Sequence, residues 1–562
     1  MNISRRSALQ VAMAAAALPV EAEARHAVSS TPWWAGAVIY EIYIRSFQDS
    51  NGDGIGDLKG IISRLDYLHD LGIDAIWITP FYPSPLVDFG YDISDYRGID
   101  PEFGTLDDFD QLVKQARARG IRIVIDMVLN HTSDQHKWFL ESKSSRTNPK
   151  ADWYVWNDGK RDADGKPQPP NNWQSLFGGS SWQWSEERQQ YYYHEFYKQQ
   201  PDLNWRNPEV EKAMFDTIRW WMDRGVSGFR LDAITSLFED PRGLDERVTT
   251  EADGTVQNSR EYTDDVPGIH PVLQRLRKVV DEKPGTLLLG ETYLPTVKDL
   301  RRYYGVRRDE LHLAMNTRYA FVPEISAGVL RDRLSDMVSG LSDVTPLIFY
   351  NNHDNTRSIS RFHPAAGHET DFAKLLATLT LTPRATAVLY YGEEIGMVDH
   401  TPERIEDVRD PVGRVKWPRD KGRDGERTPM QWDGSPQAGF TTSSNPWLPV
   451  GADHVHSNVA DEAHDPQSIL SFYKALLGLR RSHPDLKTGA MTLMDVGNAY
   501  VLGLARKSGG KTIIILCNIG DTPQSVVGVK ASLLLGNSVT SGSHGLEFGP
   551  YGVFVGEATG HR

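Results

Sequence analysis

The sequence predicts an α/β protein built on a (β/α)8 TIM barrel, with a small domain inserted after the third strand and an antiparallel β-sandwich at the carboxyl end. Three observations carry this. From Val38 to Tyr391, short apolar runs alternate with amphipathic helical stretches, the pattern of a parallel sheet with helical crossovers. Eight such runs can be marked, and an eightfold barrel needs eight. Four of them end in polar residues: Asp126-Met127-Val128-Leu129-Asn130-His131, Gly228-Phe229-Arg230-Leu231-Asp232-Ala233, Gly290-Glu291-Thr292 and Asn352-His353-Asp354. Each puts polar side chains where a buried strand meets a loop, the end at which a parallel barrel keeps its chemistry.

Residues 1–24 read as an export signal rather than structure. Arg5-Arg6 precede a short apolar stretch from Ala8 to Val20, and Ala22-Glu23-Ala24 offers a small-residue cleavage site. Paired arginines after Ser4 suggest the bacterial twin-arginine type, and hence a periplasmic or secreted protein. No later segment is long and apolar enough to span a bilayer. The strand candidates are Val38 to Ile44, Ala75 to Thr79, Ile121 to Val128, Gly228 to Leu231, Thr286 to Leu289, Leu311 to Met315, Leu347 to Tyr350 and Ala387 to Tyr391. Helical periodicity with charged outer faces marks Leu106 to Arg119 and Glu209 to Arg224.

Between Asn130 and Asn204 that periodicity lapses, and Trp153, Trp156, Trp173, Trp182 and Trp184 stand among Gly, Pro, Asn and Ser. This is the expected insertion. Its tryptophans suit a small domain's core, and aromatic faces also suit sugar rings; core is the reading favoured for most. The domains are therefore 31–130 and 205–484 for the barrel, 131–204 for the insert, and 485–562 for the terminal β-sandwich, with a long loop at 398–450. Short apolar runs with Gly-rich turns after the helix Ser468 to Arg480 support the last assignment.

Composition excludes some partners. A net charge of -14 argues against nucleic acid, which requires a concentrated basic surface. The single cysteine, Cys517, lies in an apolar run, so no intrachain disulfide can form and a buried thiol is expected.

Two carboxylates flanking one bond, with a third nearby, are what glycoside cleavage needs, and Asp232, Glu291 and Asp354 supply three. Arg230 and Asp232, two apart on a strand, share a face, so the guanidinium should hold Asp232 ionised. Glu291 must be protonated to act as an acid, and a neighbouring carboxylate with partial burial would raise its pKa. Asp49, Asn51, Asp53, Ile55 and Asp57 alternate with Gly54 at the sixth place, as in a calcium loop, although Gly60 stands where an EF-hand carries Glu. Oxygen ligands, including the Ile55 carbonyl, favour a structural Ca²⁺, with Mg²⁺ as the alternative. A solvated acidic turn is the competing, less favoured reading.

These motifs, together with Gly90-Tyr91-Asp92, Gln200-Pro201-Asp202-Leu203-Asn204 and Arg427-Thr428-Pro429-Met430-Gln431-Trp432, resemble the α-amylase superfamily of retaining glycosidases, in its oligo-1,6-glucosidase and α-glucosidase branch. The resemblance runs from about Trp33 to the carboxyl terminus. It implies Asp232 as nucleophile, Glu291 as general acid and base, and Asp354 as the third carboxylate. His131 and His353 would donate hydrogen bonds to the same sugar. Tyr91 would stack on it, and Asp92 would pair with Arg423 to close the pocket; Arg427 is the competing arginine. Asp202 would anchor the insert. Ala233 after the nucleophile implies α-1,4 over α-1,6 preference. The implied activity is exo-acting release of α-glucose from short oligosaccharides, with transglucosylation as an added outcome. Trehalose synthases and sucrose isomerases share these catalytic residues. Non-catalytic transporter heavy chains are less consistent, because they lose the carboxylates and keep a membrane anchor.

Overall fold

The computed structural model describes residues 31–250, 256–543 and 545–559. The predicted export signal lies outside them. Eight strands form the barrel: β1 (Val38–Ile42), β2 (Ala75–Ile78), β3 (Arg122–Val128), β4 (Gly228–Asp232), β5 (Leu287–Gly290), β6 (Leu313–Ala314), β7 (Leu347–Ile348) and β8 (Thr386–Tyr390). They pair in the order β6-β5-β4-β3-β2-β1-β8-β7, all parallel. A parallel bridge between Met315 and Leu347 joins β6 to β7 and completes the ring. Each strand falls on one of the eight predicted runs.

Strand periodicity places the chemistry. Ile39, Ala75, Trp77, Val124, Leu287, Leu289, Leu313, Leu347 and Val388 pack together inside the barrel. Because residues two apart share a face, the phase that turns Ile39, Val124 and Leu289 inward also turns Glu41, Asp126 and Glu291 inward, nearer the carboxyl ends. Arg230 and Asp232 follow the same rule on β4. The interior is thus apolar below and ionisable above.

Helices sheathe the ring. Helix Leu106–Ala118 starts at Thr105, whose hydroxyl accepts the Asp108 N–H while the Asp108 carboxylate accepts the Thr105 N–H. It buries Phe109, Leu112, Val113 and Ala116, a spacing that aligns one apolar stripe; burial stabilises by about 1.5–3 kcal/mol for each large side chain. Helix Pro208–Asp223 is capped by Asn207 and opens on Pro208, which has no N–H to leave unpaired. No helix among the described residues is long and apolar enough to cross a membrane.

Between Asn130 and Asn204 the chain forms short antiparallel pairs, with Gln190–Tyr193 bonded to both Trp156–Asn157 and Trp182–Ser185. Trp173, Trp182, Tyr191 and Tyr193 form its core, and Trp153 is also buried. The two ends of this segment meet: Leu203 N–H donates to the Asn130 carbonyl, and His131 bridges Asp202.

The terminal β domain is antiparallel: β9 (Ala490–Met494), β10 (Val501–Ser508), β11 (Lys511–Asn518), β12 (Gln524–Val527), β13 (Ala531–Ser541) and β14 (Gly545–Ala558). The long strand β14 pairs with β11, β12 and β13, so all six strands belong to one hydrogen-bonded network. One face encloses Val501, Leu516, Val526, Phe548 and Phe554. Leu502, Ile513, Ile515, Cys517 and Val553 on the other face join the barrel's outer core.

Candidate active site

Arg230 organises the floor of the site. Fully buried, it places Nη1 3.0 Å from Asp126 Oδ1 and 2.6 Å from Asp232 Oδ1, and Nη2 2.8 Å from Glu291 Oε1. The last contact is an ion pair without hydrogen-bond alignment. Glu291 Oε2 accepts the Ala233 N–H at 3.0 Å. Glu291 follows Gly290, where a Cβ would stand 2.4 Å from Leu311 Cδ1, so any larger residue there would have to displace the buried Leu311 side chain. Ala233 holds a left-handed conformation with φ 44°, and this turn presents its N–H to Glu291.

One guanidinium is shared by three carboxylates, and burial opposes the ionisation that it favours. Burial, opposed by Arg230 and reinforced by Asp126 and Asp354, pushes Asp232 up to about 7. Burial likewise lifts Glu291 to about 7, against Arg230 and with Asp232 and Asp354 adding to the rise. The raised Glu291 agrees with the sequence expectation. Arg230 lies against Asp232 as expected and favours its ionised form, but Asp126 shares the same nitrogen and burial outweighs the cation.

Asp354 behaves oppositely. Burial would raise its pKa, but His353, Arg423, Arg427 and Arg230 hold it far below the ordinary carboxylate range. Its Oδ1 lies 3.0 Å from Arg423 Nη1 and 2.7 Å from Arg427 Nη2. Arg423 lines the cavity. Arg427 is buried behind it, donating to the His353 carbonyl at 2.7 Å and lying over the Tyr43 ring.

The partner of Arg423 is Asp88, not Asp92. Arg423 Nη2 meets Asp88 Oδ1 at 2.8 Å, and its Nε meets Asp410 Oδ2 at 2.9 Å. Asp92 is wholly buried and accepts the Ser84 hydroxyl and the N–H groups of Val87 and Asp88; burial pushes it up to about 6. Asp92 therefore shapes the loop that carries Asp88, and the predicted contact of Asp92 with substrate is overturned. Both acids occupy the loop after β2, but only the pleat and turns of that loop decide which one faces Arg423.

Tyr91 lines the cavity and stacks on the His353 ring at 5.4 Å. Its hydroxyl lies 3.0 Å from Asp126 Oδ2 and 2.6 Å from His353 Nε2. His131 faces the cavity, and its Nδ1 is 2.9 Å from Asn130 Oδ1; burial lowers it to about 3, so it is neutral. Asn130 Nδ2 donates to Asp202 Oδ2 at 2.9 Å, which fixes the base of the insert. His353 is fully buried, with Nδ1 2.6 Å from Glu41 Oε1. Asp88, Asp126, Asp410 and Glu41 received no role from the sequence. An inward strand phase was the available signal for Glu41 and Asp126, and none existed for Asp410.

The carboxylates Asp232, Glu291 and Asp354, far apart along the chain, line one cavity of about 620 Å³ with Asp88, Tyr91 and Arg423. Its volume falls in the range of small-molecule sites. The loop 49–57 lies apart from it. There Asp49 accepts N–H groups from Asn51, Gly52 and Gly54, and Asp57 accepts from Ser50 and Gly60. Among the described residues no three His, Cys, Asp or Glu side chains converge as metal ligands. The loop's donors are oxygens throughout, and Gly52 and Gly54 take positive φ, which curls the backbone around Asp49.

Residues 41–489 match the model of the α-amylase catalytic domain. The chain belongs to that family. It is a glycoside hydrolase of the α-glucosidase and oligo-1,6-glucosidase branch. Among curated relatives, a probable α-glucosidase of Rhizobium meliloti is 42% identical over 505 residues, 87% of this chain and 90% of the relative. An oligo-1,6-glucosidase of Heyndrickxia coagulans is 39% identical over 554 residues, covering 93% and 98%. The crystal structure of the α-glucosyl transfer enzyme XgtA superposes with a TM-score of 0.87 at 40% identity, covering 94% of this chain and all of the other.

Proposed function

We propose that this family member is a retaining, exo-acting α-glucosidase that releases α-glucose from the non-reducing end of short α-glucosides. Asp232 attacks the anomeric carbon and Glu291 protonates the departing oxygen. Glu291 then takes a proton from water as the glucosyl-enzyme is hydrolysed. The observation that carries the reading is the shared Arg230 guanidinium. It gathers two carboxyls that titrate near neutrality, supporting the close pair, about 5–5.5 Å, of double displacement over the wide pair of inversion. Asp354, held anionic by two arginines, suits the ring hydroxyls and the positive charge that develops on the sugar. The Asp88–Arg423 pair at the cavity wall supports a pocket closed behind one terminal glucose.

We further propose that α-1,4 linkages are favoured over α-1,6. Ala233, beside the nucleophile, lines the cavity with a small side chain, which supports the preference that the family resemblance implies. Proton NMR of the first products from maltose, isomaltose, sucrose and trehalose tests this: initial α-glucose, fastest from maltose, is expected, and initial β-glucose would overturn retention. Transglucosylation or isomerisation is the second reading, supported by the resemblance to a glucosyl transfer enzyme. A new disaccharide without free glucose would establish it. For the loop 49–57 we propose a structural Ca²⁺ held by oxygens of Asp49, Asn51, Asp53, Ile55 and Asp57. Chelation should then lower the melting temperature and added Ca²⁺ restore it. Export through a twin-arginine signal at 1–24 is likewise proposed, and fractionation of the expressing cell checks it.

A further inference from the structure

Glu41 lies on the inward face of β1, two residues beyond Ile39, and none of its side chain reaches solvent. Its Oε1 is 2.6 Å from His353 Nδ1 and 3.3 Å from the His353 backbone N–H, while Oε2 has no hydrogen-bond partner. On the far side of the ring, Nε2 faces Tyr91 Oη at 2.6 Å and Asp354 Oδ2 at 3.2 Å. Tyr91 Oη stands 3.0 Å from Asp126 Oδ2.

Proton counting fixes the direction of this chain. Asp126 Oδ2 already accepts the Trp77 indole N–H at 3.1 Å, and Arg230 donates to both of its oxygens, so Asp126 is an acceptor and Tyr91 donates to it. Tyr91 oxygen then accepts from His353, and Nε2 carries the hydrogen. Asp354 Oδ2, 3.2 Å from the same nitrogen but without hydrogen-bond alignment, is kept anionic by two arginines and favours a hydrogen there over a lone pair. A neutral ring protonated at Nε2 has a bare Nδ1, and that atom needs a donor. Glu41 supplies one only as a carboxylic acid.

The reverse order fails on two counts. With the ring hydrogen on Nδ1 and Glu41 ionised, the Nε2 lone pair would point at the Asp354 carboxylate. It would also leave Oε2 of an anion bare in a dry layer, which is costly. Arg230 makes no hydrogen bond to Glu41 and is engaged by Asp126, Asp232 and Glu291. An imidazolium would pair with an ionised Glu41 but would stand among Arg427, Arg230 and Arg423. Burial and these cations, against the pull of Asp354, hold His353 well below the ordinary histidine range. Burial, against Arg230 and with Asp354 and Asp126, holds Glu41 well above the ordinary carboxylate range.

We propose that Glu41 is a positioning residue: as a neutral acid it donates to His353 Nδ1 and so fixes the tautomer that presents Nε2–H to Tyr91 and Asp354, the two side chains through which this buried ring acts on the cavity. The role in turnover rests on the glucosidase reading above; the tautomer does not.

The test combines spectra with kinetics. In [15N]histidine-labelled protein at neutral pH, the resonances lost in His353→Asn identify this ring, and the Nε2–H pattern is expected. Glu41→Gln offers an amide N–H to Nδ1 and should keep that pattern, an unshifted pH profile and kcat/KM within about threefold. Glu41→Met, similar in size but without a donor, should lower kcat about 100-fold with little change in KM. An Nδ1–H ring in the unsubstituted protein would overturn the proposal. So would a Gln variant as slow as the Met variant, or one with displaced pH limbs, since either shows that a charge was lost. If the Met variant does not fold, the spectrum and the Gln variant decide. The spectrum is read without substrate, so a failure of the glucosidase assignment leaves it intact and is separately visible in the Asp232 and Glu291 variants.

Discussion

Arg230 divides one positive charge among Asp126, Asp232 and Glu291, so that charge only partly offsets the burial that raises the pKa of each. Two interacting carboxyls near neutrality lose their protons in steps that belong to the pair. Activity needs the pair singly protonated, so kcat/KM should be bell-shaped, falling in acid as the second proton binds and in alkali as the last leaves. Asp232→Asn and Glu291→Gln should each lower kcat/KM by at least about 10⁴-fold while circular dichroism stays unchanged; near-normal rates would remove both assignments. Stability follows with a definite sign. Glu291 binds its proton more tightly folded, near 7, than unfolded, near about 4.3. Its contribution to stability is therefore complete below about pH 4 and is lost as pH rises through about 7. Denaturant melts of Glu291→Gln should show that loss removed, a gain relative to the unsubstituted protein of order 3 kcal/mol at pH 8. Asp88→Ala should lower kcat/KM on maltose about 100-fold, whereas Asp92→Asn should act chiefly on thermal stability. That contrast shows what the sequence could not reveal. Asp232, Glu291 and Asp354 are legible because apolar strands precede them, but Asp88 and Asp92 lie on a loop, where orientation depends on contacts as distant as Arg423.

Elements were the easiest scale to read from sequence. All eight barrel runs became strands, because β-branched and aliphatic residues buried on both faces leave few alternatives. The attachment of the terminal β domain was not legible. Two buried arginines, Arg480 and Arg506, carry much of it. Arg480 donates to the carbonyls of Gly36, Leu381, Leu486 and Ala385; Arg506, on β10, donates to those of Thr382, Leu486 and Gly489. Neither meets a carboxylate in these contacts. Leu381 ends helix Glu369–Leu381 and Thr382 follows it, so the cations lie where the helix dipole is negative. Arg506→Met should lower stability by about 3 kcal/mol, measured by denaturant unfolding of the full chain, and should leave the pH profile of activity unmoved. A lone arginine in a strand carries no sign of this task; its acceptors are main-chain carbonyls, which every sequence has.

At the scale of the whole molecule, the single cysteine, Cys517, is buried where the terminal sheet meets the barrel's outer core. Burial lifts Cys517 far above the ordinary thiol range, so the native protein should resist thiol reagents that modify it in denaturant. The ring itself is uneven. β3 and β4 share five partner pairs and β1 shares four with each neighbour, but β5–β6 and β7–β8 share two each, and β6 meets β7 through Met315 and Leu347 alone. A hoop under tension parts at its thinnest joint. On the opposite side of that hoop stand β2, β3 and β4, the ladder that carries Asp126, Arg230 and Asp232, whereas Glu291 follows β5 and Asp354 follows β7, so thermal opening at the seam should displace the acid and the third carboxylate first. Deuterium uptake should accordingly begin around 313–315 and 347–349 and arrive last at 123–128, with turnover lost at the first stage.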